Sequence, residues 1–188
     1  MSGLSKFVVF LIATSIVTVS ALWIIGGRPN TASIEVVIAA RPEEVFSWLV
    51  DPGKRTMWVH NLEQTILETE EPEGRPEKFV STFRFGDRTE NHDETVLQHD
   101  AGQFLSLKDH SGGVQTTKVF RLEPAGKQVR LKYEIIQKAN SLWKLKFAMQ
   151  ASDLEARIQT ESLELKRLAE KNSEMPFLFG EPVHNPDQ

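Results

Sequence analysis

Cysteine is absent from the 188 residues, which excludes disulfide staples, thiol catalysis, Cys-ligated zinc and lipid attachment through an N-terminal cysteine. Basic runs are missing as well. The formal net charge is −4, and no face or segment gathers Lys and Arg. Nucleic acid is therefore not an expected partner, because polyanion affinity comes from clustered cations that release counterions. The chain also lacks His-Glu-x-x-His, a cysteine pair and a calcium loop, and neither Gly26-Gly27 nor Gly112-Gly113 lies in a phosphate-binding loop. No metal and no cofactor are expected. Finally, no acidic residue precedes Glu35, and that scarcity coincides with the longest apolar stretch.

This stretch, Phe7 to Ile25, carries no charge. At ~1.5 Å per helical residue it spans roughly the ~30 Å hydrocarbon core of a bilayer. Trp23 and Arg28 suit the membrane interface, and Gly26, Gly27 and Pro29 end the helix. The reading is a transmembrane anchor in a single-pass membrane protein. Its competitor is a cleaved secretion signal, for which Val19-Ser20-Ala21 offers small residues. Lys6 and Arg28 nearly balance the flanks, and the domain is placed on the extracytoplasmic side. Residues 1–30 then form the anchor and linker, 31–171 one domain, and 172–188 an irregular tail with Pro176, Pro182 and Pro186.

Ile34, Val36 and Ile38 alternate as in a strand. Arg41-Pro42-Glu43-Glu44 opens a helix whose apolar face is Val45, Phe46, Leu49 and Val50. Asp51-Pro52-Gly53 ends it, before a short turn through Met57 and Trp58. Six strands are expected next: Leu62–Glu70, Lys78–Phe85, Arg88–Gln98, Gln103–Lys108, Gln115–Leu122 and Gln128–Ile136. Turn signals separate them too closely for parallel crossovers, so the strands form an antiparallel meander. After Asn140 the apolar period becomes helical through Trp143, Phe147, Ala151, Leu154, Ile158, Leu165 and Leu168, ending near Lys171. A polar turn from Glu161 interrupts that stripe. The fold class is α+β: a curved antiparallel sheet of about seven strands wrapped on a long C-terminal helix, plus the N-terminal transmembrane helix.

Several segments in this order carry a resemblance: Ile34-Glu-Val-Val-Ile-Ala-Ala-Arg-Pro-Glu-Glu-Val-Phe46, Leu49-Val-Asp-Pro52 with Trp58 for a helix pair, Glu94-Thr-Val-Leu97, and Leu163-Glu-Leu-Lys-Arg-Leu-Ala-Glu170. Together they resemble the START-like, helix-grip or Bet v 1-like superfamily, and within it the polyketide cyclase/dehydrase and lipid-transport group. The resemblance covers about Ala32 to Lys171. It implies an interior apolar cavity for lipids, polyketides or other hydrophobic molecules, and it implies no particular reaction.

Three functions follow as alternatives. The first is a non-catalytic, membrane-tethered binder of a hydrophobic or lipid-like molecule. Its expected lining is Trp58, Ser81, Phe83, Phe85, Leu107, Thr116, Phe120, Tyr133, Ile135, Trp143, Phe147 and Leu154, with Tyr133, Ser81 and Thr116 as polar contacts. The second is a cyclase or dehydratase using an acid/base pair. Period two puts His92 and Glu94 on one strand face, where imidazole and carboxylate could cooperate. Their many polar neighbours favour a solvated outer face instead. The third is a tethered protein-interaction module without ligand, with the tail's Phe177-Leu-Phe179 as one contact. Asp109-His110-Ser111 holds hydrolase residue types, but before two glycines it reads as a turn. His60 is placed at the cavity mouth by the family layout, or on the surface.

Overall fold

The computed structural model describes residues 3–70, 75–140, 144 and 153–174. Helix α1 is Gly3–Gly26 and strand β1 is Asn30–Ile38. Two short helices follow, α2 (Pro42–Val50) and α3 (Pro52–Trp58). The six strands are β2 (Leu62–Glu70), β3 (Arg75–Phe85), β4 (Arg88–Asp100), β5 (Phe104–Ser111), β6 (Val114–Ala125) and β7 (Gln128–Ala139), and the last described element is α4 (Leu154–Glu174).

All seven strands form one antiparallel sheet in the order β1-β7-β6-β5-β4-β3-β2. Consecutive strands β2 to β7 are neighbours, as short hairpin turns require. The exception is β1, which pairs with β7 because α2 and α3 carry the chain across between β1 and β2. The sheet's inner face is lined by Phe79 and Phe83 of β3, Leu105 and Leu107 of β5, Phe120 and Leu122 of β6, and Leu131, Tyr133 and Ile135 of β7. On it, α4 buries Leu154, Ile158, Leu165, Leu168 and Ala169, packing mainly along β1. Two polar ties fix that seat: Lys166 Nζ donates to the Val37 carbonyl at 2.8 Å, and Ala39 N–H donates to Glu170 at 2.9 Å.

Locally, several expectations change. The turn expected through Met57 and Trp58 is the helix α3: the Asp51 carboxylate accepts from Lys54 N–H at 3.1 Å and restarts a helix on Pro52. Asp109-His110-Ser111 is the end of β5 rather than a turn, since its backbone pairs with Thr116, Gln115 and Val114. The reversal falls on Gly112 and Gly113, whose φ of 55° and 75° suit a tight hairpin between right-twisted strands. The helical period expected from Trp143 and Phe147 lies outside the described residues, as does the tail beyond Glu174.

Helix α1 has 24 residues and no polar face. Its described side chains are exposed all round, with Phe7, Phe10, Ile16 and Val17 each more than half accessible. Thr14, Ser15 and Thr18 return their hydroxyls to carbonyls one turn back, which removes free donors from the helix surface. Among the described residues no helix is long and apolar enough to cross a membrane. Lys144 lies with its ammonium 5.3 Å from the Trp23 ring, beside the end of α1.

Candidate functional site

A cavity of about 730 Å³ opens between one end of the sheet and the first turns of α4. Phe83, Phe85, Val114, Ile135 and Leu154 supply its apolar wall. His60, Thr116, Lys118, Gln137 and Arg157 interrupt that wall, together with His92 and Asp109. His60 reaches the cavity because Asn61 takes a left-handed φ of 61°, which turns the chain sharply out of α3 into β2.

Five of the residues expected to line a pocket do so: Phe83, Phe85, Thr116, Ile135 and Leu154. Five others are core instead. Trp58 donates its indole N–H to the Trp48 carbonyl at 2.9 Å and packs edge-on against Phe120 and Tyr133. Those two rings stack on each other at 4.4 Å, and Leu107 is 1% exposed. Ser81 is fully buried and hydrogen-bonded to Thr65. The Trp58 and Arg55 side chains of α3 fill this part of the inner face, against Phe120, Tyr133 and Phe79. Trp143 and Phe147 lie outside the described residues.

The largest departure from sequence expectation is strand β4. His92 and Glu94 do share a face, but it is the inner one: Glu94 is 1% exposed and pairs across the sheet with Phe79, and His92 pairs with Ser81. A buried carboxylate needs counter-charges. Glu94 has two, the Arg55 guanidinium from α3 and the Lys118 ammonium from β6, the latter at 2.5 Å, and Ser81 Oγ donates to it at 3.1 Å. Arg55 also lies 3.9 Å over the Phe79 ring. Burial alone would raise the Glu94 pKa, but Arg55 and Lys118 outweigh it and bring the value down to about 2.

Beside this triad, His92 Nδ1–H donates to Asp109 Oδ2 at 2.7 Å, which leaves Nε2 without a hydrogen bond. Burial opposes the charged imidazole, yet Asp109, with Glu90 behind it, raises the His92 pKa overall. A third network sits on α4, where the apolar stripe breaks. Glu161, 1% exposed, accepts from Tyr133 Oη at 2.9 Å, Arg157 Nε at 3.0 Å and His60 N–H at 3.1 Å. Burial and the Glu161 charge push the Tyr133 phenol well up. Glu161 therefore links α4, β7 and the α3–β2 turn at the cavity's edge. Among the described residues no group of acids and histidines is arranged to hold a metal ion.

Sequence reasoning missed Arg55, Lys118, Arg157 and Glu161 as site residues. A signal existed for Lys118, which has the strand parity of Phe120 and Leu122. None existed for Arg55, since no apolar period marks the inward side of its short helix.

A seven-stranded antiparallel sheet gripping a C-terminal helix, with a cavity at the helix's first turns, defines a helix-grip, START-like domain. The chain belongs to the polyketide cyclase / dehydrase and lipid transport family, which it matches over residues 30–170. Solved structures agree on the fold. The di-domain ARO/CYC StfQ of the steffimycin biosynthetic pathway has a TM-score of 0.59 at 13% identity, over 78% of this chain and 51% of that one. A START superfamily protein from Mycobacterium smegmatis has 0.51 at 14%, over 71% and 98%. Ara h 8.0201 has 0.59 at 13%, over 77% and 100%. No curated protein matches the chain.

Proposed function

We propose that this chain is a membrane-tethered binder of a small hydrophobic or lipid-like molecule, held between the sheet and α4. The cavity of about 730 Å³ carries the reading. It lies within the ~300–1,000 Å³ typical of small-molecule sites, and its apolar wall with a few convergent polar groups is the usual composition of such a site. The family's description, which joins cyclases and dehydrases to lipid transport, supports the same class of ligand.

Thr116→Trp places an indole in the cavity beside its cross-strand neighbours Asp109 and Gln137, and it leaves Glu94, Arg55 and Glu161 unaltered. Native mass spectrometry of the full chain, released from its own membranes, should show a bound apolar molecule on the natural protein. The variant should lose occupancy by about tenfold, equivalent to ~1.4 kcal/mol. Equal occupancy, or an empty natural protein that also fails to take up added apolar probes, would sink the reading.

The tether is supported by α1. Its uncharged stretch from Phe7 to Ile25 extends to roughly 28 Å at ~1.5 Å per residue, close to the ~30 Å hydrocarbon core. An apolar helix exposed on every side has no stable place in water. The full chain should remain in the membrane pellet through alkaline carbonate extraction, and Ile12→Asp with Ile16→Asp should release it. Release of the unaltered chain overturns the tether and leaves the binding reading standing. With the domain on the extracytoplasmic side, protease added to intact cells should cleave it.

A further inference from the structure

We propose that the His92–Asp109 pair is a proton acceptor for an acidic hydroxyl, a phenol or an enol, carried by the hydrophobic ligand. This rests on the binding reading above and names the polar end of what the cavity takes.

Both residues line the cavity, from β4 and β5. Because Asp109 Oδ2 accepts the Nδ1 proton at 2.7 Å, the neutral imidazole keeps its basic lone pair on Nε2. That nitrogen has no hydrogen-bond partner, and neither has Asp109 Oδ1, on a side chain 10% exposed. The nearest acidic oxygen to Nε2 is Glu90 Oε2 at 3.6 Å, too distant for a hydrogen bond. Glu90 also lines the cavity, and its side chain is 53% exposed. Its carboxylate therefore marks a cavity-side position from which an acidic oxygen approaches Nε2, and being solvated it can yield that position to a ligand. The Phe83 ring lies 4.8 Å from the imidazole and forms a flat apolar surface beside it. On the same ring's other contact, the Lys118 ammonium stands 5.7 Å from its centroid.

Charge balance selects the ligand class. Arg55 and Lys118 share Glu94, the half-buried Arg157 pairs with Glu161, and Asp109 pairs with His92, so with a neutral imidazole these charges sum to zero. A permanently ionised head group would bring an unmatched charge into this wall, whereas a neutral hydroxyl enters without one. The step is then a simple transfer. The ligand O–H bond breaks, an Nε2–H bond forms, and the electron pair stays on oxygen beside the imidazolium and Lys118. No other reactant is needed, and the reverse transfer restores both partners. The upward displacement of the His92 pKa by its two carboxylates makes it a stronger base than a free imidazole. The charged and titratable groups facing it are Asp109 from β5, Glu90 from its own strand and Lys118 from β6. Across the cavity stand Arg157 of α4, Asp153 just before that helix, and His60.

The test uses 2-naphthol, whose ionised form absorbs at longer wavelength, and its methyl ether, which has no proton to give. Titrated with the full chain, naphthol should ionise about one pH unit or more below its value in matched buffer, a roughly tenfold gain in the ionised fraction. His92→Gln and Asp109→Asn, each checked for an intact thermal transition, should separately abolish the gain, with the ether titrated against each variant to show that the cavity is still occupied. Naphthol that ionises alike in the natural protein and in His92→Gln overturns the inference. Ether binding without enhanced naphthol ionisation overturns it alone. Failure of both probes to bind overturns the binding reading and this inference with it.

Discussion

Glu94→Ala is expected to lower folding stability by about 3–5 kcal/mol, the cost of breaking a buried ion pair from one side. The variant leaves Arg55 and Lys118, with side chains 3% and 8% exposed, inside the sheet without their carboxylate. Arg55 cannot shed its charge, and it is held by the Leu49 carbonyl and the Phe79 ring rather than free to reach solvent. Replacing all three residues with Met removes the stranded charges and should recover most of the loss, because an apolar replacement of a buried ion cluster is often neutral. Chemical denaturation of the three proteins decides the matter. Equal stability of the natural protein and Glu94→Ala would show that the triad contributes nothing.

The same carboxylate predicts an acid limb. Its pKa falls from 4.5 to about 2 on folding, so its contribution is complete above pH 4.5 and is lost as pH falls through 2. At ~1.36 kcal/mol per pH unit the loss is on the order of 3 kcal/mol. Between those limits the natural protein should lose melting temperature more steeply than Glu94→Ala. Parallel curves would contradict the assignment.

Glu161→Ala should cost about 3 kcal/mol and weaken ligand binding as well. It strands the Tyr133 hydroxyl in the core, a buried orphan costing ~1–3 kcal/mol, and it unpairs the part-buried Arg157 and His60 N–H. Tyr133→Phe, by contrast, removes one donor and leaves Glu161 satisfied by Arg157 and His60, so about 1 kcal/mol is expected. In a double-mutant cycle Tyr133→Phe should cost almost nothing once Glu161 is gone. Additive effects would mean that the 2.9 Å contact carries no coupling. Because His60 and Arg157 both line the cavity, the loss of their shared acceptor should appear in probe affinity. Thr116→Trp blocks the cavity without that loss of stability, which separates the two effects.

The burial of Glu161 turns a flaw in a sequence pattern into a finding. From the sequence it is only a polar residue where an apolar one would continue the stripe. In the structure it is the shared acceptor of three elements. Strand β4 shows the complementary difficulty. Glu90 through Thr95 is polar at every position, so period two assigns residues to two faces without saying which is inner. The partners that decide it, Ser81 and Phe79 on β3 and the cations on α3 and β6, are distant in sequence. The Asp109-His110-Ser111 segment departs from its expected turn for a related reason: the turn chemistry belongs to the two glycines, and backbone pairing with β6 carries the strand up to them.

By itself the sequence determined the order of elements, the meander and the apolar stripes, because strand alternation, helical period and turn residues are local properties of the chain. It also determined the uncharged start and the absence of cysteine thiols. Only the tertiary structure decided that Trp58, Ser81, Leu107, Phe120 and Tyr133 fill the core while Phe83, Thr116, Ile135 and Leu154 face a cavity. It also decided that His92 and Glu94 look inward and that Asp109 holds the imidazole. Whether an inward-facing residue meets a neighbour or a space depends on which element is laid over it, and a buried charge is stable only when its counter-charges arrive from elsewhere in the chain.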